Sequence, residues 1–384
     1  MKNVLIIASD NNTSSGAFRS MVKMCQLIME RGKYFPIVVL PKKGDGYKLL
    51  DATNIPWHYV RSYSWVQSLD EVGTLKGKAS IMIKRILNTL SQKKIAAIAK
   101  NENVVGIHIN SIWSYVGAYA AFVVGIPLVW HIREALDADQ NKCLYSPKCY
   151  ELINKADVVI AVSDYISRCY GSRINRSKMV TIYNGIDRGE FYYDKKREKR
   201  KFIEFLSVAN MNSKKGQEYI IKAGLALISK GISTFHVSFV GDGRNREKLE
   251  RIVESKDAGK YFAFYGQQDN VTKYYQQADV FIMSSDAEAF GRVTVEAMLM
   301  GCLVIGSNSG ATPEILQNGE YGILYEKSNV SDLEKKMNEV IQNYDRYTDL
   351  ARKGQRHAVN EFTAQRNAMK VEKMYDTYFC KSGA

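Results

Sequence analysis

The chain has 384 residues, 46% of them hydrophobic and 24% charged, with 54 Lys and Arg against 40 Asp and Glu for a net charge of +14. That length exceeds one ordinary core and predicts two or three domains, and the composition excludes a disordered or collagen-like chain. The positive balance calls for an anionic partner. Its cations are scattered and no nucleic-acid module is legible, so nucleic acid is not that partner.

Taken in chain order, MKNVLIIASD holds an apolar run too short for a signal-peptide core and suited to a first buried strand. GAFRSMVKMCQLIMERG then has helical periodicity, and YFPIVVL reads as a second strand. In KGKASIMIKRILNTL the residues Ala79, Met82, Ile83, Ile86, Leu87 and Leu90 recur at helical spacing, with Lys76, Lys78, Lys84, Arg85, Lys93 and Lys94 nearby. Either this is a surface helix packed on its own domain, or it makes an electrostatic and shallow hydrophobic contact with anionic lipid.

From Val104 to His131 there is no Asp, Glu, Lys or Arg, which raises a membrane span. Asn110, Ser111, Ser114 and the GIP at 125–127 interrupt it, so the stretch reads as strand, buried helix and strand. VVIAVS and MVTIYNG continue the rhythm, and the polar, basic run at 187–201 reads as an interdomain linker. The second half repeats the pattern with FIEFLSVA, FHVSFVGDG, YFAFYG, DVFIMSS and CLVIGS as strands. Strands apolar on both faces and separated by helices imply two doubly wound α/β domains, with ligands at the carboxyl ends of the strands. The expected division is 1–187, 188–362 and a terminal helical stretch, 363–384, that braces the first domain. The six cysteines form no CxxC pair or zinc spacing and read as free thiols in a reducing cytosol.

The stretch most suggestive of chemistry follows DVFIMSS: a loop, DAEAFG, then a helix, RVTVEAMLMG. This sets Phe290, Gly291 and Arg292 at a helix N-terminus, where unpaired N–H groups and the dipole favour an anion such as a diphosphate. Glu288 precedes that terminus and Glu296 lies about a turn inside it. The two carboxylates are either caps and surface charges or the two grips on a polyhydroxylated, phosphorylated ligand. A nicotinamide dehydrogenase would need G-x-G-x-x-G after the first strand. The GDGRNR at 241–246 lacks the third glycine and lies in the other domain.

EAFGRVTVEAM, GCLVIGS and GATPEIL occur in that order, with YNGID at 183–187, KKG at 214–216, FVGDG at 239–243 and HIRE at 131–134. This set resembles glycosyltransferase family 4, retaining enzymes of the GT-B fold, in which two Rossmann-like domains face a central cleft. The resemblance implies a nucleotide-sugar donor, a UDP-sugar being the expected one, with no cofactor and no required metal. It implies that Glu288 contacts the donor sugar, Glu296 the ribose, and Lys215 the leaving diphosphate. His131 would approach the sugar from the first domain, and Gly16, in the SSGAF turn, would lie beside phosphate and acceptor. The diphosphate would rest on Phe290, Gly291 and Arg292. The Lys-rich chain and its basic amphipathic segment point to a glycan or lipid-linked acceptor, such as a growing bacterial surface polysaccharide, and to a protein in the cytoplasm, either free or peripheral on the inner face of the membrane. One departure stands out: family members commonly carry an arginine five or six residues before the lysine, where this chain has Asn210 and Ala209. Loss of such a contact removes about 1.5–3 kcal/mol, and it leaves a second reading open, a binding subunit without turnover.

Overall fold

The computed structural model describes residues 1–194 and 201–380. Six residues of the basic linker (195–200) and the terminal KSGA (381–384) lie outside the described residues. The chain divides into two compact units, Met1–Gly185 with the chain from Ala364 onward, and Ile186–Thr363.

The first unit is built on β1 (Lys2–Ile7), β2 (Tyr34–Leu40), β3 (Trp57–Tyr59), β4 (Gly106–Ile109), β5 (Leu128–Ile132), β6 (Val158–Ala161) and β7 (Met179–Thr181). They form one parallel sheet in the order β3-β2-β1-β4-β5-β6-β7. The central strands are apolar on both faces because helices cover both, and Val4, Leu5, Ile6 and Ile7 are all buried. Helix α1 (Gly16–Glu30) follows β1, and its N-cap Ser15 accepts from the Phe18 N–H. Helix α2 (Leu75–Asn101) and helix α3 (Val116–Val124) pack on each other. The uncharged stretch from 104 to 131 is therefore strand, helix and strand. Among the described residues no helix is long and apolar enough to cross a membrane.

The second unit repeats the plan with β8 (Ile203–Val208), β9 (Phe235–Val240), β10 (Phe262–Phe264), β11 (Val280–Met283), β12 (Leu303–Ser307) and β13 (Ile323–Tyr325). These too are parallel, in the order β10-β9-β8-β11-β12-β13. In both sheets the order reverses direction beside the first strand of the unit, the place where a doubly wound sheet opens a crevice at its carboxyl ends. Helices α4 (Gln217–Ser229), α5 (Arg292–Leu299) and α6 (Val330–Glu361, kinked at Asn343) cover this sheet, around a core rich in phenylalanine: Phe205, Phe235, Phe239 and Phe262.

The last helix, α7 (Ala364–Phe379), belongs to the first unit. It docks on α1 and the start of β2, where Glu372 pairs with Arg31 and Asp376 with Lys33 at 2.6 Å, while the Tyr34 hydroxyl donates to Asp376 at 2.8 Å. Those pairs are at least partly exposed, so the apolar contact carries most of the stability. Val371, Tyr375 and Phe379 are buried, and the Phe379 ring covers Gly106 so closely that a Cβ there would lie 2.4 Å from it. The expected cost of Phe379→Ala is about 3–5 kcal/mol, by lost burial and the cavity left behind. A thermal or urea unfolding curve tests this, and an unchanged midpoint would show that α7 is not an integral part of the first unit.

Candidate active site

The site-like residues of the second unit come from three loops at the carboxyl ends of β8, β11 and β12. After β8 the chain makes one short turn, Ser213–Lys215, in which Asn212 Oδ1 accepts from the Lys214 N–H. Gly216 then turns the chain into α4 with φ +70°, where a Cβ would lie 2.1 Å from the Ser284 carbonyl oxygen. Only glycine lets these backbones approach so closely. Ser284 Oγ donates to the Lys215 carbonyl at 2.7 Å and the Asp286 N–H to the Lys214 carbonyl at 2.9 Å. The third loop closes from the other side: the Ala311 N–H donates to the Glu288 carbonyl, and a Cβ on Gly310 would lie 2.4 Å from the Glu288 nitrogen.

These contacts place Lys215 Nζ 2.5 Å from Glu288 Oε1. Both side chains are mostly but not wholly covered, 28% and 18% exposed, so the pair is shielded yet open to a ligand. Gly291, with φ +80°, is the N-cap of α5, and Glu288 Cβ lies 3.8 Å from where its own Cβ would stand. The carboxylate, the ammonium and the amino end of α5 are thus assembled within one unit.

Arg292 is the first residue of α5 and reaches Glu296 Oε1 at 3.4 Å. Glu296 is buried and also accepts from the Tyr275 hydroxyl at 3.1 Å. Tyr275 is held neutral by burial and by the Glu296 charge, so it remains a donor. Phe290 directly precedes the N-cap Gly291, and its ring is buried against Phe362, at 5.8 Å between centroids, so what it offers a ligand is backbone. Asn210, at the missing arginine's position, is held by its neighbours, accepting from Asn212 Nδ2 through its side chain and from Gln217 through its carbonyl.

In the first unit, Gly16 opens α1 directly after Ser15, whose hydroxyl donates to Asp10 at 2.8 Å. His131 lies in β5 and is fully buried. Its Nδ1 is 3.2 Å from His108 Nε2 and 3.4 Å from an Arg133 nitrogen, and His108 Nδ1 is 2.6 Å from the Tyr375 hydroxyl. Arginine can only donate, so His131 Nδ1 is an acceptor and His108 donates to it from Nε2. His108 Nδ1 is then the acceptor for the Tyr375 hydroxyl. The remaining proton of His131 sits on Nε2, a buried donor with no partner among the described residues. Burial and the Arg133 charge keep both imidazoles neutral, pushing His108 down to about 3 and His131 well below its ordinary value. Arg133 also bonds Asn110 and Asn184, which links the HIRE and YNGID motifs. Burial raises the neighbouring Glu134 carboxyl to about 7, against the pull of its Ser111 and Arg133 contacts.

Sequence reasoning assigned no role to Tyr275, His108, Arg133, Glu134 or Tyr375. Arg133, Glu134 and Asn184 lay within quoted motifs; Tyr275 and Tyr375 meet their partners only through the fold. An Asp-Ala-Asp triplet at 137–139 also occurs, in the short helix Leu136–Gln140, and its Asp137 accepts from Arg173 at 3.3 Å. Among the described residues no group of three His, Cys, Asp or Glu is placed to hold a metal ion.

The family model described as Glycosyltransferase Family 4 matches residues 67–190, and that described as Glycosyl transferases group 1 matches 190–357. An uncharacterized glycosyltransferase of Methanocaldococcus jannaschii is 27% identical over 223 residues, 58% of this chain and 60% of that protein, so the match spans less than two thirds of it. The capsular polysaccharide biosynthesis glycosyltransferase CapM of Staphylococcus aureus is 22% identical over 293 residues, 70% of this chain and 75% of that one. Among solved structures, Anabaena HepE in complex with UDP superposes with a TM-score of 0.79 at 19% identity, covering 98% of this chain and 100% of that one. Motifs, fold and family matches agree: the chain belongs to the family 4 glycosyltransferases and has the GT-B fold.

The neutral histidine pair has a consequence for stability. Because the folded pKa values lie below the ordinary 6.5, the unfolded chain binds protons first as pH falls. The His108 contribution is complete above about pH 6.5 and is lost as pH falls from there toward about 3, and the His131 contribution is lost in the same direction. Glu134 has the opposite sign, its contribution being lost as pH rises from 4.5 to about 7. Melting curves between pH 7 and 5 should therefore fall less steeply for His108→Gln than for the parent, by about one proton. Equal slopes would mean that His108 takes up its proton in the fold as readily as in the unfolded chain.

Proposed function

We propose that the protein is a retaining glycosyltransferase that moves a sugar from a UDP-sugar to a glycan or lipid-linked acceptor in the synthesis of a bacterial surface polysaccharide. The observation that carries this reading is the Lys215–Glu288 pair set against the glycine-capped end of α5. A cation, a helix N-terminus and a hydroxyl-binding carboxylate side by side suit a diphosphate that joins a sugar. HepE was solved with UDP and CapM is named for capsular polysaccharide synthesis, and both are similar to this chain.

In this reading the sugar–phosphate bond breaks with positive charge building on the sugar and negative charge on the departing diphosphate. Lys215 and the N–H groups opening α5 stabilise the latter, and because they are fixed before the reaction they need no reorganisation during it. The diphosphate takes up Lys215, and Glu288 turns to the sugar hydroxyls. Glu296, oriented by Tyr275 and Arg292, receives the ribose hydroxyls. The neutral His131 serves as a hydrogen-bond donor through Nε2 and not as a base. The acceptor attacks the face the leaving group departs from, and the diphosphate takes the acceptor's proton, which retains the anomeric configuration.

Asn210 in place of an arginine favours a second reading, a subunit that binds donor without turnover. A thermal-shift panel with UDP, GDP, ADP, dTDP, CMP and NAD addresses the donor site first. UDP at about 100 times its dissociation constant should add about 2.7 kcal/mol of apparent stability, and no response to any diphosphate would sink the donor-site assignment. Lys215→Ala should weaken UDP binding by about 1.5–3 kcal/mol, the range for hydrogen bonds to charged groups. Glu288→Gln should leave UDP binding nearly unchanged while lowering UDP-sugar turnover. A bound UDP-sugar that is neither hydrolysed nor transferred would establish the second reading, and proton NMR of the product tests retention.

A further inference from the structure

Helix α2 turns the wrong face inward for a simple surface helix. Its buried residues are Gly77, Ile81, Asn88, Ser91, Ile95, Ala96 and Ala99, a largely small and polar row. Asn88 and Ser91 are anchored there, with Asn88 bonding the Tyr63 backbone and the Tyr115 hydroxyl, and Ser91 the Arg61 carbonyl. The large apolar residues point out: Leu75, Met82, Ile83, Ile86 and Leu90 are 86%, 64%, 57%, 62% and 63% exposed. At 100° per residue these fall on one stripe opposite the buried row, about 24 Å long at 1.5 Å per residue. Helix α3, which packs on α2, also leaves Tyr119, Phe122 and Val123 exposed, at i, i+3 and i+4.

From this we infer that the outer face of α2, with α3 beside it, seats the protein on an anionic lipid bilayer. The charge on α2 selects that occupant. The helix carries Lys76, Lys78, Lys84, Arg85, Lys93, Lys94 and Lys100 and no Asp or Glu. A second copy of the chain would set these cations against themselves, whereas nucleic acid would leave the apolar stripe without a partner. A bilayer of acidic lipids supplies both halves of the match, acyl chains for the stripe and phosphates for the lysines. The folded polar anchors Asn88 and Ser91 fix the rotation of the helix, so the stripe is presented outward before any membrane is met.

The test is flotation of the full chain with phosphatidylcholine vesicles, with and without phosphatidylglycerol. Neither donor nor acceptor is present, so the result is independent of sugar transfer. The parent should float with the acidic vesicles and at least about tenfold less with neutral ones, and the difference should shrink in high salt. Ile86→Ser with Leu90→Ser should lower acidic-vesicle affinity by at least about tenfold. Both sites are exposed, so the double variant should melt near the parent temperature and still respond to UDP as the parent does. Lys93→Gln with Lys94→Gln should lower affinity for acidic but not neutral vesicles. Failure of the parent to float, or equal flotation of the Ile86/Leu90 variant, would overturn the assignment. So would a dimer in solution that the same substitutions dissociate without vesicle binding, since a second copy would then be the occupant.

Discussion

Backbone closeness at the carboxyl ends of β8, β11 and β12 is the constraint on which the candidate donor site depends. Lys215 and Glu288 are 73 residues apart in the chain, and neither helix nor strand holds them together directly. They meet because the loops that carry them are hydrogen-bonded through main-chain groups, at approaches where Gly216 and Gly310 leave no room for a Cβ. A parallel sheet gathers the starts of its crossovers at one end, and the glycines allow those starts to touch. Charge then follows from geometry, with an ammonium, a carboxylate and the open end of α5 fixed before any ligand arrives.

The first unit uses a different device. Its polar centre is a line of hydrogen bonds running from Tyr375 on α7 through His108 on β4 to His131 on β5, with Arg133 beside it. Two imidazoles enclosed beside a guanidinium stay neutral, since each added charge would lack water and face a cation. The terminal helix is thus more than a brace: it supplies the hydroxyl that donates to His108 and completes the proton order set by Arg133. The Nε2 proton at the end of the line is a buried donor with no acceptor among the described residues.

Helix α2 shows how a polar anchor can outrank hydrophobicity in deciding which face turns inward. Turning the helix over would bury Met82, Ile83 and Ile86 but strand Asn88 and Ser91 away from the main-chain groups of Arg61 and Tyr63. A buried polar group without its partner costs about 1–3 kcal/mol. The small row also lets α3 approach closely, while long aliphatic side chains would hold it off. The result is an apolar stripe on a basic helix in a chain that is already strongly positive.

The sequence by itself determined the two sheets, their parallel strands and the family. Buried strands are written as runs of β-branched and aromatic residues, and a helix whose N-cap is in the left-handed region needs its glycine at one position, as Gly291 illustrates with φ +80°. These are local signals, carried by neighbours in the chain. Tertiary structure alone decided that Glu296 answers to Tyr275, that His108 and Tyr375 lock His131, that the Phe290 ring serves the core, and that α2 faces outward with its largest side chains. Each of those depends on partners brought together from separate elements. The periodicity of α2 marked an apolar stripe but not the direction it faces, because rotation about a helix axis is settled by what packs against it.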